Sequence, residues 1–271
     1  MKPKPLILAV ETSGRAGSAA IALGEKLLAE ATLSGTMRHS AEIFPTVRSL
    51  LDHFARKPEE IEHIYISVGP GSFTGLRIAV TMAKAMHLAN TAKIVHVDTL
   101  DVIAANVTTE NTVHPSSHEL RAPSIEHPAS SIEYIATILD AKRSQFFIAV
   151  YQRNTSHEPR ATSHGIWKKI LPDSLMTAPQ FLDRFACKEK PIWLLGEGLV
   201  YYKDKFKADG IHFLDERYWT PRAEKVHLLS WQKAQAGQFA DPLTLQPTYL
   251  RRPEVKVKRS RKQKPKDFQQ F

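Results

Sequence analysis

Hydrophobic positions along the chain fall into short continuous runs that alternate with helical stripes. Residues 6–10 are wholly apolar, the pattern of a strand covered on both faces, and the run stops at the small polar turn Glu11-Thr12-Ser13-Gly14. Residues 19–23 read as a second strand, and Gly24-Glu25-Lys26 turns the chain into a third over 27–32. In the stretch 40–54, Ile43, Phe44, Val47, Leu50, Leu51 and Phe54 recur at helical spacing, so one face is apolar and the other wet. Ser40 is the expected N-cap, Glu42 lies in the first turn where the helix dipole favours it, and Pro45 falls near that turn. A strand over 61–68 leads into Gly69-Pro70-Gly71-Ser72-Phe73-Thr74-Gly75, and this loop opens a helix over 76–90 that is apolar nearly all round. Such a helix must be covered on both sides. The surrounding chain supplies one cover; the pattern leaves open whether the other is more core or a second molecule.

The second half repeats the alternation. It predicts a strand at 93–97, a helix at 99–107, and strands at 132–140 and 145–152 joined across Ala141-Lys142-Arg143-Ser144. A further strand at 166–170, a helix at 177–185, a strand at 192–195 ending in Gly196-Glu197-Gly198, and a last helix at 222–237 follow. Residues 108–131 are rich in Ser, Pro, Thr and His and poor in large apolar side chains, and read as an inserted flexible loop. The expected class is α/β (mixed α+β) in two lobes. A first lobe covers 1–107 and a second 132–250, with the last helix packing back; the insertion 108–131 and a tail 251–271 stand apart.

Composition sharpens this picture by exclusion. With 271 residues, 42% of them hydrophobic and 24% charged, the chain can bury a sizeable core and is neither wholly disordered nor fibrous. The single cysteine, Cys187, excludes an internal disulfide and any multi-cysteine zinc site. No apolar run approaches the roughly 18 residues that cross a bilayer, and the run 6–10 is too short for a signal-peptide core, so a cytoplasmic protein without a membrane partner is expected. The net charge of +9 is concentrated at one end. In 251–271 nine Lys or Arg stand against Glu254 and Asp267, giving +7 and leaving +2 for the other 250 residues. That tail is either a solvated end or an electrostatic tether for nucleic acid, with Arg251, Arg252, Lys256, Lys258 and Arg259 as candidate RNA contacts.

Candidate chemistry is sparse. The glycine loop, with Gly69, Gly71 and Ser72 beside Thr12 and Ser13 of the first turn, has the makings of a nucleotide or phosphate cradle. It lacks the Gly-Lys-Ser/Thr ending of a P-loop and the glycine spacing of a dinucleotide fingerprint, so a tight structural turn competes with that reading. His114 and His118 are separated by Pro115-Ser116-Ser117 in a stretch unsuited to a helix and have no fixed third ligand, which argues against a metal site. No Gly-x-Ser-x-Gly elbow is present, and Cys187 has nothing in sequence to activate it. No catalytic residue and no metal site are expected.

Four segments taken together carry a resemblance: Ile7-Leu8-Ala9-Val10-Glu11-Thr12-Ser13, the run from Gly69 to Arg77, Leu139-Asp140-Ala141-Lys142-Arg143-Ser144-Gln145, and Pro247-Thr248-Tyr249-Leu250-Arg251-Arg252-Pro253-Glu254. In this combination and order the chain closely resembles the TsaB (YeaZ) family of tRNA threonylcarbamoyladenosine biosynthesis, over about residues 5–254. The resemblance implies two ribonuclease-H-like lobes of the actin-like ATPase and sugar-kinase fold. It implies a non-catalytic subunit that binds and activates a TsaD-like protein for threonylcarbamoyl transfer to adenosine 37 of tRNA. It also implies a TsaE-like ATPase docked on the assembly, with ATP and metal on the partner subunits and no cofactor of this chain's own. The first two helices would form the partner interface, with Ile43, Phe44, Val47, Leu51, Val80, Ala83 and Met86 as its residues, and a homodimer is an alternative assembly when the partner is absent. In TsaD-like relatives a His-x-x-x-His pair holds the metal; here the corresponding stretch, His96-Val97-Asp98-Thr99-Leu100-Asp101, has one histidine and no second four residues on. Glu11 stands where ATP-using members of the fold usually carry Asp. The alternative is a stand-alone kinase or metallopeptidase of the same superfamily.

Overall fold

A computed structural model of the chain describes residues 4–33, 39–107, 132–154 and 166–250. The insertion with His114 and His118, and the basic tail with Arg251, Arg252, Lys256, Lys258 and Arg259, lie outside the described residues.

Two five-stranded sheets form the frame. The first comprises β1 (Leu6–Glu11), β2 (Ser18–Leu23), β3 (Lys26–Thr32), β4 (Ile61–Ser67) and β5 (Lys93–Val97), in the order β3-β2-β1-β4-β5. Strands β1, β2 and β3 are antiparallel neighbours, whereas β4 and β5 run parallel to β1. The second comprises β6 (Tyr134–Asp140), β7 (Gln145–Arg153), β8 (Trp167–Thr177), β9 (Ile192–Leu195) and β10 (Ile211–Phe213), in the order β10-β9-β6-β7-β8. Its pairings repeat those of the first: an antiparallel β6-β7-β8 meander with β9 and β10 parallel to β6. Each sheet thus has the order and directions of a ribonuclease-H-like sheet, as the sequence resemblance implied.

Why residues 6–10 are apolar without alternation is now physical. Leu6, Leu8 and Val10 face α1 (His39–His53) and α2 (Phe73–Asn90), while Ile7 and Ala9 face α6 (Ala223–Gln235) on the other side of the sheet. Both faces of β1 are dry, so every position is hydrophobic. Helix α3 (Thr99–Ala104) joins the two lobes: Leu100 and Ile103 enter the core of the second sheet, whereas Val102 packs with α6 on the first. Phe181 of α4 (Ala178–Phe185) and Leu199 of α5 (Leu199–Tyr202) complete the second core.

Several element boundaries differ from the sequence expectation. Helix α1 already includes His39, so Ser40 is inside the first turn rather than its cap, and Pro45 sits in the seventh helical position on an exposed side. Helix α2 starts at Phe73, with Ser72 as N-cap accepting from Gly75 N, so the last glycine of the loop is helical. Strand β8 runs to Thr177, well past residue 170, because ladder pairing with β7 carries Leu175 and Met176 opposite Phe147 and Phe146. The short β10 and α5 had no periodicity long enough to announce them.

Candidate functional site

The outward side of α1 and α2 carries a shallow apolar groove of about 370 Å³. Phe44 supplies one wall from α1; Phe73, Ile78, Met82 and Ala85 supply the other from α2, with Arg77 and Thr81 at its border. Phe44 is 61% exposed and Phe73 49%, and Leu88, further along α2, is 84% exposed. Large apolar side chains standing in water along one helix pair are the kind of patch that soluble chains reserve for partners.

The interface residues expected from the sequence divide sharply. Phe44 is on the surface and Met86 is half-buried. Ile43, Val47, Leu51, Val80 and Ala83 are instead buried in the first lobe's own core. Their faces of α1 and α2 cover the first sheet, so these five side chains brace the groove from behind rather than standing in water beside Phe44. Spacing alone does not tell the inner apolar face of a helix from an outer one, and that is why Phe73, Ile78 and Leu88 are not among the interface residues expected from the sequence.

Behind the groove, the glycine loop and the β1–β2 turn are packed backbone to backbone. A Cβ on Gly71 would lie 2.6 Å from the Ser13 carbonyl oxygen, and one on Gly75 only 1.8 Å from that of Thr12. The polar groups expected to cradle phosphate are used on each other: Ser72 N donates to Ser13 O (2.8 Å), Thr12 Oγ1 donates to Gly75 O (2.8 Å), and Gly75 N donates to Ser72 Oγ. Gly69 has φ +117° and accepts from Thr99 N. The structure therefore brings Thr12, Ser13, Gly71 and Ser72 together, but as a helix-to-turn joint rather than an open loop.

Beneath that joint lies Glu11, fully buried. Its Oε1 accepts from Ser13 N (2.6 Å) and from the Ser13 hydroxyl. Burial holds its carboxyl above the ordinary carboxylate range, opposed in part by the bonds from Ser13 and by Ser67 nearby. Neither Oε2 nor Ser67 Oγ completes a hydrogen bond of good geometry among the described residues. Glu197, in the turn after β9, reaches the same region from the second lobe, and its Oε2 accepts from Arg15 N (2.7 Å). Its carboxyl is also raised, by burial first and then by the Glu11 charge, against the pull of the Arg15 and Ala16 amides.

A second buried polar cluster joins α3 to the second sheet. Lys169 Nζ lies 2.6 Å from Asp101 Oδ1 and 2.7 Å from Asp173 Oδ1, and the Tyr151 hydroxyl donates to Asp101 Oδ1 (2.7 Å). Burial pushes the Asp173 carboxyl up to about 6 despite Lys169, with Asp98 and Asp101 adding to the rise. These groups satisfy one another and make a joint between lobes. Among the described residues no three His, Cys, Asp or Glu side chains converge as metal ligands. His96 lies on β5, and the position four residues on is the buried Leu100. No helix among the described residues is long and apolar enough to cross a membrane.

Comparison with known proteins adds to this geometry. The family model described as "TsaD: tRNA N6-adenosine threonylcarbamoyltransferase" matches residues 26–158. The TsaB protein of Bacillus subtilis, a tRNA threonylcarbamoyladenosine biosynthesis protein, is 26% identical over 256 residues, covering 93% of this chain and 96% of that one. Its counterpart in Escherichia coli is 23% identical, covering 90% and 94%. Among solved structures, YeaZ from Pseudomonas aeruginosa superposes with a TM-score of 0.69 at 20% identity, over 91% of this chain and all of that one. In sequence and in fold, along nine-tenths of its length, the chain thus resembles the TsaB (YeaZ) family.

Proposed function

We propose that this chain is a non-catalytic partner subunit in threonylcarbamoyladenosine biosynthesis, binding a TsaD-like protein and activating it for transfer to adenosine 37 of tRNA. The observation that carries the reading is the apolar groove of α1 and α2, with Phe44, Phe73 and Leu88 standing in water. The match of the TsaD family model to residues 26–158 includes both helices, so a TsaD-like partner would bring a helix pair of related shape to the same joint. Two like faces pack isologously, and the same geometry serves a homodimer when the partner is absent. Activation works through contacts made only in the partner's active state, since binding shifts a conformational equilibrium only by its differential affinity. In this reading a TsaE-like ATPase docks on the assembly, ATP and metal reside on the partner subunits, tRNA is met through the complex, and the complex acts in the cytoplasm. A stand-alone kinase would need the turn 12–16 open to phosphates, and Glu197 already lies in it.

Phe44→Glu tests the proposal, because the side chain is 61% exposed and its loss leaves the core intact. Co-purification with a TsaD-like partner should weaken on the order of a hundredfold, with an unchanged thermal midpoint. Undiminished pairing would refute it. Val80→Glu and Ala83→Glu do not serve, since both positions are buried and the charge would unfold the lobe.

A further inference from the structure

The β1–β2 turn is an anion-binding shape that already holds an anion. Arg15 N donates to Glu197 Oε2 at 2.7 Å, and the Ala16 amide beside it also lowers the cost of that carboxylate's charge. Gly14 lies flat against it: a Cβ there would come within 3.1 Å of both Glu197 oxygens and of Pro221 Cγ. Two successive amides of the first lobe therefore point at one carboxylate of the second, with Gly14 packed against it, as successive backbone amides wrap phosphate groups elsewhere.

Glu197 is aimed by its own glycines. Gly196, at φ +120°, sits so close to β6 that a Cβ would be 2.3 Å from Ile138 O, and Gly198 N donates to that same oxygen at 3.0 Å. The turn is thereby pinned to the second sheet on both sides of Glu197. A second contact closes beside it: the Arg15 guanidinium stacks over the Tyr201 ring of α5 at 4.8 Å. The pairing is sequence-distant and joins the β1–β2 turn to the turn between β9 and α5.

We propose that Glu197 is the internal ligand of the turn 14–16, an interlobe latch whose carboxylate occupies the place at the Arg15 and Ala16 amides that a phosphate group would take. The latch holds the two lobes closed around α3 and keeps small anions out of the turn, leaving the outer helices as the working surface. Glu197→Ala empties the turn, and Gly14→Val keeps the carboxylate but forces it away.

Hydrogen exchange of the Arg15 and Ala16 amides, measured on the full chain with and without inorganic phosphate, decides the matter. In wild type both amides should be protected and phosphate should change nothing. In Glu197→Ala exchange should rise by about tenfold or more, the equivalent of one charge-assisted hydrogen bond, and phosphate should slow it again. Gly14→Val should reproduce the rise while retaining native circular dichroism, which separates release of the latch from misfolding. Unchanged exchange in both variants overturns the proposal. So does protection of the wild-type amides by phosphate, or an emptied turn that phosphate fails to protect.

Discussion

Glu11 sets a carboxyl where no water reaches, and its proton has to be accounted for. The native state holds that proton more tightly than the unfolded chain does, since burial raises the carboxyl above its ordinary value of 4.5. Between the unfolded and folded values the native state binds more protons, so stability falls as pH rises through that window. Gln at this position keeps an oxygen to accept from Ser13 N and the Ser13 hydroxyl, and removes the ionisation. Glu11→Gln should therefore be more stable than wild type at about pH 8, with the difference closing at about pH 4, where both states are protonated. Thermal melts of the two proteins across that range test it; a gap that does not vary with pH would place the carboxyl's proton elsewhere. The sequence marked Glu11 as unusual by its position in the first-strand motif. It did not reveal the carboxylate of Glu197 nearby, because the two residues lie 186 positions apart in the chain.

At the scale of elements, the glycines of the 69–75 loop answer to packing. Gly75 is helical, and a methyl group on it would overlap Thr12 O, so Gly75→Ala must push α2 off the β1–β2 turn. A loss on the order of 3 kcal/mol is expected in denaturant unfolding. Gly237→Ala is the contrast: φ is +72° there but no atom lies within 4 Å of the new carbon, so about 1 kcal/mol of backbone cost should be all. Equal losses would mean that the close helix-to-turn contact contributes nothing. A phosphate cradle and a tight joint share the same glycine-rich signature in sequence, since both need backbone to approach closely. Only the identity of the approaching atoms separates them. The helix pair shows a similar limit: the apolar stripe of α1 was legible, but Phe44, next to the buried Ile43, stands in water.

Seen whole, the molecule brings its C-terminal segment back across the first lobe. Ala240 N donates to Ile94 O, Leu245 is buried in the core behind α1 and α2, and Thr248 N donates to Val68 O. Tyr249 then packs against Phe73 with ring centroids 5.3 Å apart, at the edge of the groove. The basic residues Arg251, Arg252, Lys256, Lys258 and Arg259 follow this segment in the sequence. If they act as a tether, truncation after Leu250 should leave pairing intact and flatten the salt dependence of RNA binding by the assembled complex. Loss of five phosphate contacts would reduce the log–log slope by roughly four. An unchanged slope would assign the tail to solubility.

The amino-acid sequence by itself determined the two series of strands and helices, the double burial of β1, and the concentration of charge at one end. These follow from local periodicity and composition, which act on neighbours in the chain. The resemblance in four short segments also carried the fold, because three of them lie at strand ends: the end of β1, the joint from β4 to α2, and the β6–β7 turn. Tertiary structure alone decided which side of α1 and α2 is wet, what Gly71 and Gly75 touch, and that Glu197 reaches the turn at Gly14. Those outcomes depend on contacts between residues remote in the chain, where orientation and sub-ångström clearance, rather than residue type, select the partner.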